Sequence, residues 1–263
     1  MTVETAASRQ RSQDEALDRA LARSDAYRVL AAAFRDPDDP DDPDAAPDDG
    51  ELELRVLGAA ARRVGSTIDP ASWRAVGRIR RRGARAAEHR AVFGHVVAHG
   101  CPPYETEFGR RHVFGQSQEL GDIRGFYEAF GVRPRRGGER PDHLACELEF
   151  LSLVVLKEAI ALARGEDERV AVCRAAAARF IADHAGRWLP ALAALIARRA
   201  PEGGYAAAAA IAASLVADHA RELGSLPVIL GADDLLPITE EPDGFSFECG
   251  VDAEGGDLAP PGS

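Results

Sequence analysis

Residues 141–164 read PDHLACELEFLSLVVLKEAIALAR, and this stretch decides the fold. Its first three residues are rigid, charged or polar, and after them apolar residues fall on nearly every side of a helix that turns once in 3.6 residues. Such a helix in a soluble protein needs other helices on every side, so we expect it to be the central helix of a bundle. Its apolar positions are Leu144, Leu148, Phe150, Leu151, Leu153, Val154, Val155, Leu156, Ile160 and Leu162.

The composition also favours helices. Of the 263 residues 46% are hydrophobic, which is enough for a sizeable core, and only 6% are aromatic. Alanine, the best helix former, occurs in runs, and neither internal repeats nor alternating strands and helices are found. We therefore predict an all-α protein, a single bundle of about eight to ten helices at residues 13–225, with a mobile tail at 1–12 and an irregular tail at 226–263.

Local signals predict where the helices begin and end. Asp69 and Pro70 form the start signal of one helix, since Asp accepts from free amides and Pro fits the first helical position. Another helix is expected to open at Ser117 and to end at Gly131 in the left-handed conformation. In the first helix, Leu17, Leu21, Tyr27, Leu30, Ala31 and Phe34 are predicted to form the buried stripe. The predicted helices cover about 12–35, 51–64, 70–82, 84–98, 117–130, 141–164, 166–184, 187–200 and 204–223.

Charge is unevenly distributed along the chain. The formal net charge is −11, but residues 36–50 alone contain eight aspartates and no basic residue. Four prolines in that segment exclude helix and sheet, so it is predicted to be an exposed acidic loop. Arginines at 78–85 form a local basic run, interpreted as a solvated helix face, and the overall balance does not suit a nucleic-acid-binding protein.

The cysteines and the N-terminus predict a cytoplasmic location. Cys101, Cys146, Cys173 and Cys249 are far apart and form no CxxC pair, as expected of isolated thiols in a reducing compartment. The polar N-terminus lacks the apolar region of a signal peptide, and the longest apolar stretch, at 205–217, is too short to span a membrane. No stable membrane insertion is expected.

Motifs of enzymes and cofactor sites are absent. The sequence contains no Walker loop, GxGxxG, HExxH or GxSxG, so we predict no catalytic residue and no cofactor. One set could ligate a metal: His95 and His99 are spaced to face one cation, with the Cys101 thiolate just beyond them. The alternative is that one histidine is packed and the other exposed at a helix end, and on that interpretation there is no metal site.

Two interpretations of the segment 139–143 stay open on the residues alone. Pro141 and Asp142 could simply cap the apolar helix, because Pro fits the first turn and a carboxylate suits unpaired amides. Capping does not require His143, however, nor the Pro-Pro-Tyr-Glu-Thr loop upstream. A histidine beside an acid at the start of a helix could equally hold a ligand.

Three segments together resemble a known family. The sequences CPPYETEFG (101–109), FGQSQELGDIRGFYEAFGV (114–132) and ERPDHLACELEFL (139–151) are similar to the TorD/DmsD/NarJ-type chaperones that mature molybdenum-containing oxidoreductases. The Glu-x-Pro-Asp-His signature of that family is complete here. Pro-Pro-Tyr-Glu and Phe-Gly-Gln further resemble the branch that serves dimethyl-sulfoxide-reductase-type enzymes.

The resemblance implies a non-enzymatic, all-helical partner of the apo catalytic subunit and its N-terminal leader. Such a chaperone delays export or membrane delivery until the molybdopterin cofactor is inserted. The family's recognition segment carries over to Glu139, Pro141, Asp142 and His143, and less firmly to Tyr104 and Glu105. Leaders of such clients pair two arginines with an apolar segment, so a chaperone that binds them needs carboxylates beside an apolar groove.

The sequence departs from the family in its acidic loop and its long C-terminal tail. The alternative functions are a metal-binding helical enzyme and a helical regulatory protein that acts by interaction alone. Which oxidoreductase is the client, whether its leader carries twin arginines, and whether the protein is a monomer or a dimer are not determined by the sequence.

Overall fold

The computed structural model describes residues 2–38, 51–66, 68–79, 82–94, 101–109, 113–133, 138–231 and 234. Within these ranges the chain forms nine α-helices and no strand, which confirms the predicted all-α bundle. The helices are α1 Thr2–Phe34, α2 Glu51–Arg63, α3 Pro70–Arg78, α4 Arg82–Phe93, α5 Val113–Ala129, α6 Leu144–Arg164, α7 Asp167–Asp183, α8 Ala185–Arg199 and α9 Gly204–Leu223, with a short 3₁₀ turn at Glu105–Glu107.

Helix α6 lies at the centre of the bundle, against α1, α7 and α8. Leu144, Leu148 and Leu151 are fully buried, as the apolar sequence predicts. The expectation that every side is buried is wrong, however, because 39% of Leu156 and 43% of Ile160 are exposed. These two residues, one turn apart, form a stripe that no helix of the described residues covers.

Helix α1 packs closely along α6. Two buried serines allow this approach: the Ser24 hydroxyl lies 3.1 Å from the Ser152 hydroxyl, and each also donates to the other's backbone carbonyl, at 3.0 and 2.9 Å. Of the predicted stripe, Tyr27, Leu30, Ala31 and Phe34 are buried, whereas Leu17 is half-buried and Leu21 is exposed.

Helix α1 begins at Thr2, ten residues before the predicted start at Ser12. Residues 8–15 are all exposed, so no apolar periodicity marks this part of the helix. Its alanines, glutamates, glutamines and arginines are strong helix formers, which is enough to extend a helix already anchored by packing further along. The division into tails and a central domain stays a prediction.

Several helix ends follow the predicted local signals. The Asp69 side chain accepts from the amides of Ala71 and Ser72, with Pro70 at the first helical position, so the predicted cap of α3 is confirmed. Gly131 has a φ of 78°, the left-handed conformation predicted after α5. Helix α5 begins at Val113, before the predicted Ser117.

Outside the helices, residues 225–231 have no regular secondary structure and pass over the start of α8, where the Leu230 amide donates to the Arg187 carbonyl at 2.8 Å. Most of the predicted acidic loop, from residue 39 onward, and most of the C-terminal tail lie outside the described residues. No described helix is both long enough and apolar enough to cross a membrane.

Candidate functional site

The loop at residues 101–109 pairs with the start of α6. Tyr104 and His143 form an isolated antiparallel β-bridge, and the Glu105 amide donates to the Asp142 carbonyl at 2.9 Å. These contacts bring the two predicted segments, Tyr104–Glu105 and Glu139–His143, into one structure. The prediction that they act together therefore has a geometric basis, although their role in binding a partner stays a prediction.

Asp142 is the polar centre of this assembly and is completely buried. Its Oδ2 accepts from the Thr106 amide at 3.2 Å and from the Thr106 hydroxyl at 2.8 Å. The Arg140 guanidinium binds the same carboxylate, with Nε 3.0 Å from Oδ1 and Nη2 2.8 Å from Oδ2. Asp142 therefore ties the loop to the helix start and offers no free oxygen to a ligand at the surface.

His143, not Asp142, caps α6. Its buried Nδ1 accepts from the Ala145 amide at 3.1 Å, so the ring satisfies a helix donor that has no intrahelical partner. Burial lowers the pKa of His143 to about 3, with the positive charges of His89 and Arg140 as smaller contributors. The ring is therefore neutral at physiological pH.

Pro141 is also buried, and it connects the motif to α5. Its carbonyl accepts from the Tyr127 hydroxyl at 2.7 Å. Tyr127 stands in the segment FGQSQELGDIRGFYEAFGV that carries part of the family resemblance. The three similar segments thus meet at one place in the fold.

The accessible part of the assembly is a small surface of four residues, which we call the Tyr104 face: Tyr104, Glu107, Glu139 and Arg140. The Tyr104 hydroxyl donates to Glu139 Oε2 at 3.2 Å, and the Arg140 guanidinium lies over the Tyr104 ring, 4.6 Å from its centroid. Arg140 Nη1 is 3.5 Å from Glu107 Oε1. Burial raises the pKa of Tyr104, with the Glu139 carboxylate adding to the effect, so Tyr104 acts as a hydrogen-bond donor.

Arg140 and Glu107 were missed by the sequence reasoning. Arg140 occupies the variable position of the Glu-x-Pro-Asp-His signature, and Glu107 follows the Tyr-Glu-Thr run. Their adjacency to those motifs is the only signal that could have identified them.

Glu105 points inward, away from the Tyr104 face. It is buried, and its two carboxylate oxygens lie 3.1 and 3.3 Å from Nδ1 of the equally buried His184, at the junction of α7 and α8. Nε2 of His184 is 3.3 Å from Asp122 Oδ2. Burial lowers the pKa of His184, but the hydrogen bond and charge of Glu105 and the charge of Asp122 outweigh burial, and the net shift is upward.

A second buried carboxyl, Glu147, lies in the first turn of α6. Its Oε2 accepts from the Trp188 indole at 3.0 Å, and its Oε1 has no hydrogen-bond partner among the described residues. Burial raises the pKa of Glu147 well above its usual value, and the nearby Glu105 charge raises it further. Glu147 is thus a group that favours its neutral form, and the only sequence signal for it is an acid inside an otherwise apolar helix.

The metal hypothesis is not supported by the described part of the chain. Among those residues, no group of three or more His, Cys, Asp or Glu side chains could hold a metal ion. Cys101 is buried and has a free thiol, whereas His95 and His99 lie outside the described residues.

With this geometry in view, comparisons with known proteins show which proteins the chain resembles. The nitrate reductase delta subunit family matches residues 75–194, somewhat less than half of the chain, and this segment contains the whole Tyr104–His143 assembly. The match confirms the predicted resemblance to the TorD/DmsD/NarJ-type chaperones, while the nearer assignment to the dimethyl-sulfoxide-reductase branch stays a prediction.

A particular relative is the chlorate reductase assembly chaperone protein of Ideonella dechloratans, 35% identical over 114 residues. The aligned segment covers 43% of this chain and 57% of the relative, so the chain spans little more than half of that protein's length. No solved structure matches.

Proposed function

We propose that this protein is an assembly chaperone of a molybdopterin-dependent oxidoreductase. It binds the apo catalytic subunit in the cytoplasm, by way of the subunit's N-terminal leader, and holds it until the cofactor is inserted. The observation that carries the proposal is that the family match, residues 75–194, includes every element that builds the Tyr104–His143 assembly. The name of the Ideonella relative, an assembly chaperone, supports the same function. The protein itself catalyses no reaction in this scheme.

The burial pattern divides the predicted site residues into two groups. Tyr104 and Glu139 are half-buried and reach the surface, so they contact the partner directly. Pro141, Asp142, His143 and Glu105 are buried and therefore position that surface.

The Tyr104 face suits a peptide that carries arginine. Glu139 and Glu107 provide carboxylates, and charge-assisted hydrogen bonds from guanidinium to carboxylate are among the stronger polar contacts. The Tyr104 ring adds an aromatic surface on which a guanidinium already stacks, that of Arg140. A client arginine would take up the same kind of interaction.

The first experiment tests the function. Tagged protein is produced together with the catalytic subunit of one of the organism's own molybdopterin oxidoreductases, in a host that cannot make molybdopterin and in one that can. We expect the subunit to be captured from the first host and released in the second. Failure to capture any such subunit, or equal capture of cofactor-loaded subunit, would refute the proposed function.

The second experiment tests the Tyr104 face. Glu139→Gln keeps an oxygen that can accept from the Tyr104 hydroxyl but removes the charge, so the fold should be retained. We expect about tenfold weaker capture of the apo subunit, equivalent to about 1.4 kcal/mol. Glu128→Gln, an equally conservative change at an exposed position of α5, is the matched control. Equal capture by both variants would remove the Tyr104 face from the binding surface.

A further inference from the structure

His184 lies between two acidic side chains that come from different parts of the fold. It stands at the junction of α7 and α8, and only 2% of its side chain is exposed. Its Nδ1 is 3.1 Å from Oε2 and 3.3 Å from Oε1 of Glu105, which belongs to the 101–109 loop. Its Nε2 is 3.3 Å from Oδ2 of Asp122 in α5. One ring therefore connects the loop, α5 and the α7–α8 junction.

The two contacts favour one charge state of the ring. A neutral imidazole has a single N–H, so only one of its nitrogens can donate and the other presents a lone pair. With a carboxylate next to each nitrogen, the lone pair of a neutral ring would face a negative oxygen. Only the imidazolium ion offers a donor to both Glu105 and Asp122. The arrangement therefore fits a positively charged His184.

Glu105 needs this positive charge because it is itself buried. Only 2% of its side chain is exposed, and a buried carboxylate is costly unless it is paired. Among the described residues, His184 is the basic side chain that lies within 4 Å of it. Glu147 adds no counter-charge, since it is a second acid, whose pKa is raised by burial and by the charge of Glu105.

The orientation of the His184 ring is fixed by two aromatic neighbours. The ring of Phe126 meets it edge-to-face, with 5.5 Å between the centroids, and the centroid of Phe180 is 5.0 Å away. A ring enclosed in this way cannot turn without displacing one of these phenylalanines. Both nitrogens are therefore kept on their acidic partners.

Glu105 transmits the contact to the Tyr104 face. It follows Tyr104 directly in the chain, its amide donates to the Asp142 carbonyl at 2.9 Å, and its own carbonyl accepts from the Phe108 amide at 2.9 Å. The backbone of the loop is thus bonded to the start of α6, while the Glu105 side chain is bonded to His184. If the ring lost its charge, the carboxylate of Glu105 would reach water only through a movement of the loop.

We propose that His184 is a positioning residue of the Tyr104 face. As an imidazolium ion between Asp122 and Glu105, it holds the 101–109 loop in place, and the loop loosens when the ring loses its proton. The inference rests on the proposed function in one respect, namely that the client contacts the Tyr104 face. The hold of His184 on the loop exists without a client and can be measured on the free protein.

The charges around the ring determine the direction of the pH dependence. Burial lowers the pKa of His184, whereas the hydrogen bond and charge of Glu105 and the charges of Asp122 and Glu119 raise it, and the net shift is upward. A group with a raised pKa stabilises the folded state below its ordinary value, about 6.5 for histidine, and this contribution is lost as the pH rises through the folded-state value. The loop is therefore expected to loosen on the alkaline side. The other charged groups near the ring are Glu147 on α6, Asp183 at the end of α7 and Arg187 on α8, which lies 3.7 Å from Glu119.

The first test follows the ring and the loop separately, by NMR on the free protein. The Cε1–H signal of His184, assigned by its loss in His184→Gln, reports the charge of the ring. Hydrogen exchange of the Glu105 and Phe108 amides reports the order of the loop. We expect a charged ring at pH 6, and protection factors of both amides that fall about tenfold as the ring titrates, equivalent to about 1.4 kcal/mol, while that of Leu148 in α6 stays constant. A neutral ring at pH 6, or loop protection that does not follow the titration of the ring, would overturn the proposal.

The second test separates the charge of His184 from its packing. His184→Gln leaves Glu105 without a counter-charge, so the two loop amides should lose about tenfold in protection at pH 6. Adding Glu105→Gln removes the buried charge, and the double variant should regain the protection of wild type and show no pH dependence. If the histidine only fills space, the second change cannot rescue the first, and the proposed role is wrong.

Two control variants complete this test. His219→Gln changes another buried histidine, on α9, and should leave loop protection unaltered relative to that of Leu148. Glu147→Gln should keep the pH dependence of the loop, and its loss in this variant would assign the titration to Glu147 and refute the role of His184.

Capture of the apo subunit tests the link to the Tyr104 face. We expect His184→Gln to weaken capture and the additional Glu105→Gln to restore it. Equal capture by wild type and both variants, with loop protection changed as predicted, would refute the positioning role while leaving the proposed function intact. Failure of wild type to capture any subunit, with loop protection as predicted, would refute the proposed function and not the hold of His184 on the loop.

Discussion

Asp142→Ala should lower the free energy of unfolding by about 1 to 4 kcal/mol. The change removes the acceptor of the Thr106 amide, which is buried and has no other partner in the described structure. A buried donor left without a partner costs about 1 to 3 kcal/mol. The pair with Arg140 adds at most about 1 kcal/mol, because the Arg140 side chain is 42% exposed and can return to water.

The Thr106 hydroxyl contributes little to this total, since Arg140 also donates to it, at 2.6 Å, and the hydroxyl can rotate toward another acceptor. Asp142→Asn is the informative control. Its amide oxygen can still accept from Thr106, and only the contact with Arg140 is disturbed, so we expect a loss of about 1 kcal/mol.

Urea unfolding followed by far-UV circular dichroism measures both variants against wild type. A loss smaller than about 1 kcal/mol for Asp142→Ala, or equal losses for alanine and asparagine, would show that the Thr106 amide does not depend on Asp142. The claim that Asp142 holds the loop to α6 would then be wrong.

Further changes test the interior of the bundle. The raised pKa of Glu147 makes the folded protein hold a proton that the unfolded chain releases above pH 4.5, so wild-type stability declines as the pH rises from there. Glu147→Gln removes this dependence, and the variant should therefore be more stable relative to wild type at pH 8 than at pH 5. A difference in unfolding free energy that does not change with pH in urea titrations would contradict this. Gly204→Ala should destabilise the protein by about 1 to 3 kcal/mol, because its Cβ would lie 2.6 Å from Cγ2 of Ile79, just after α3, and 2.8 Å from the carbonyl oxygen of Ala75 in α3. Gly125→Ala, with open space around it, should stabilise the protein by about 0.5 to 1 kcal/mol. Melting temperatures of the two variants that move in the same direction would be inconsistent with this packing. Tyr27→Phe should lower the free energy of unfolding by about 1 to 2 kcal/mol, since it removes the hydroxyl that lies 3.0 Å from Nδ1 of buried His219. An unchanged stability in thermal unfolding would mean that the pair contributes nothing.

The position of α6 could be predicted from the sequence because its signal is strong and local. A run of apolar residues predicts burial without any knowledge of the neighbours, and the Asp69–Pro70 and Gly131 signals act within a few residues of the backbone groups they satisfy. The start of α1 at Thr2 could not be predicted in this way. Its exposed residues have no apolar period, and the helix there depends on propensity and on anchoring further along the chain.

The candidate site likewise has a part that local sequence signals predict and a part that depends on packing with distant residues. The motif at Glu139–His143 lies in one assembly with the 101–109 loop, and its role in binding stays a prediction. The sequence alone left open whether these residues cap a helix or contact a partner. Burial separates the two roles: His143 caps α6, Asp142 binds the loop, and Glu139 reaches the surface. Burial depends on what packs above a residue, and here that is a loop more than thirty positions earlier in the chain.

Composition, the central helix and the family motif were therefore determined by the sequence alone, since each rests on residue types or on contacts within a few positions. The pairing of Glu105 with His184, the raised pKa of Glu147 and the contact of Asp122 with His184 were decided only by the tertiary structure. Glu105 and His184 are 79 positions apart, and no periodicity or capping rule connects them. The shifted pKa values of His184 and Glu147 follow from burial and from charges a few ångströms away, and those distances exist only once α5, α6 and α8 have packed together.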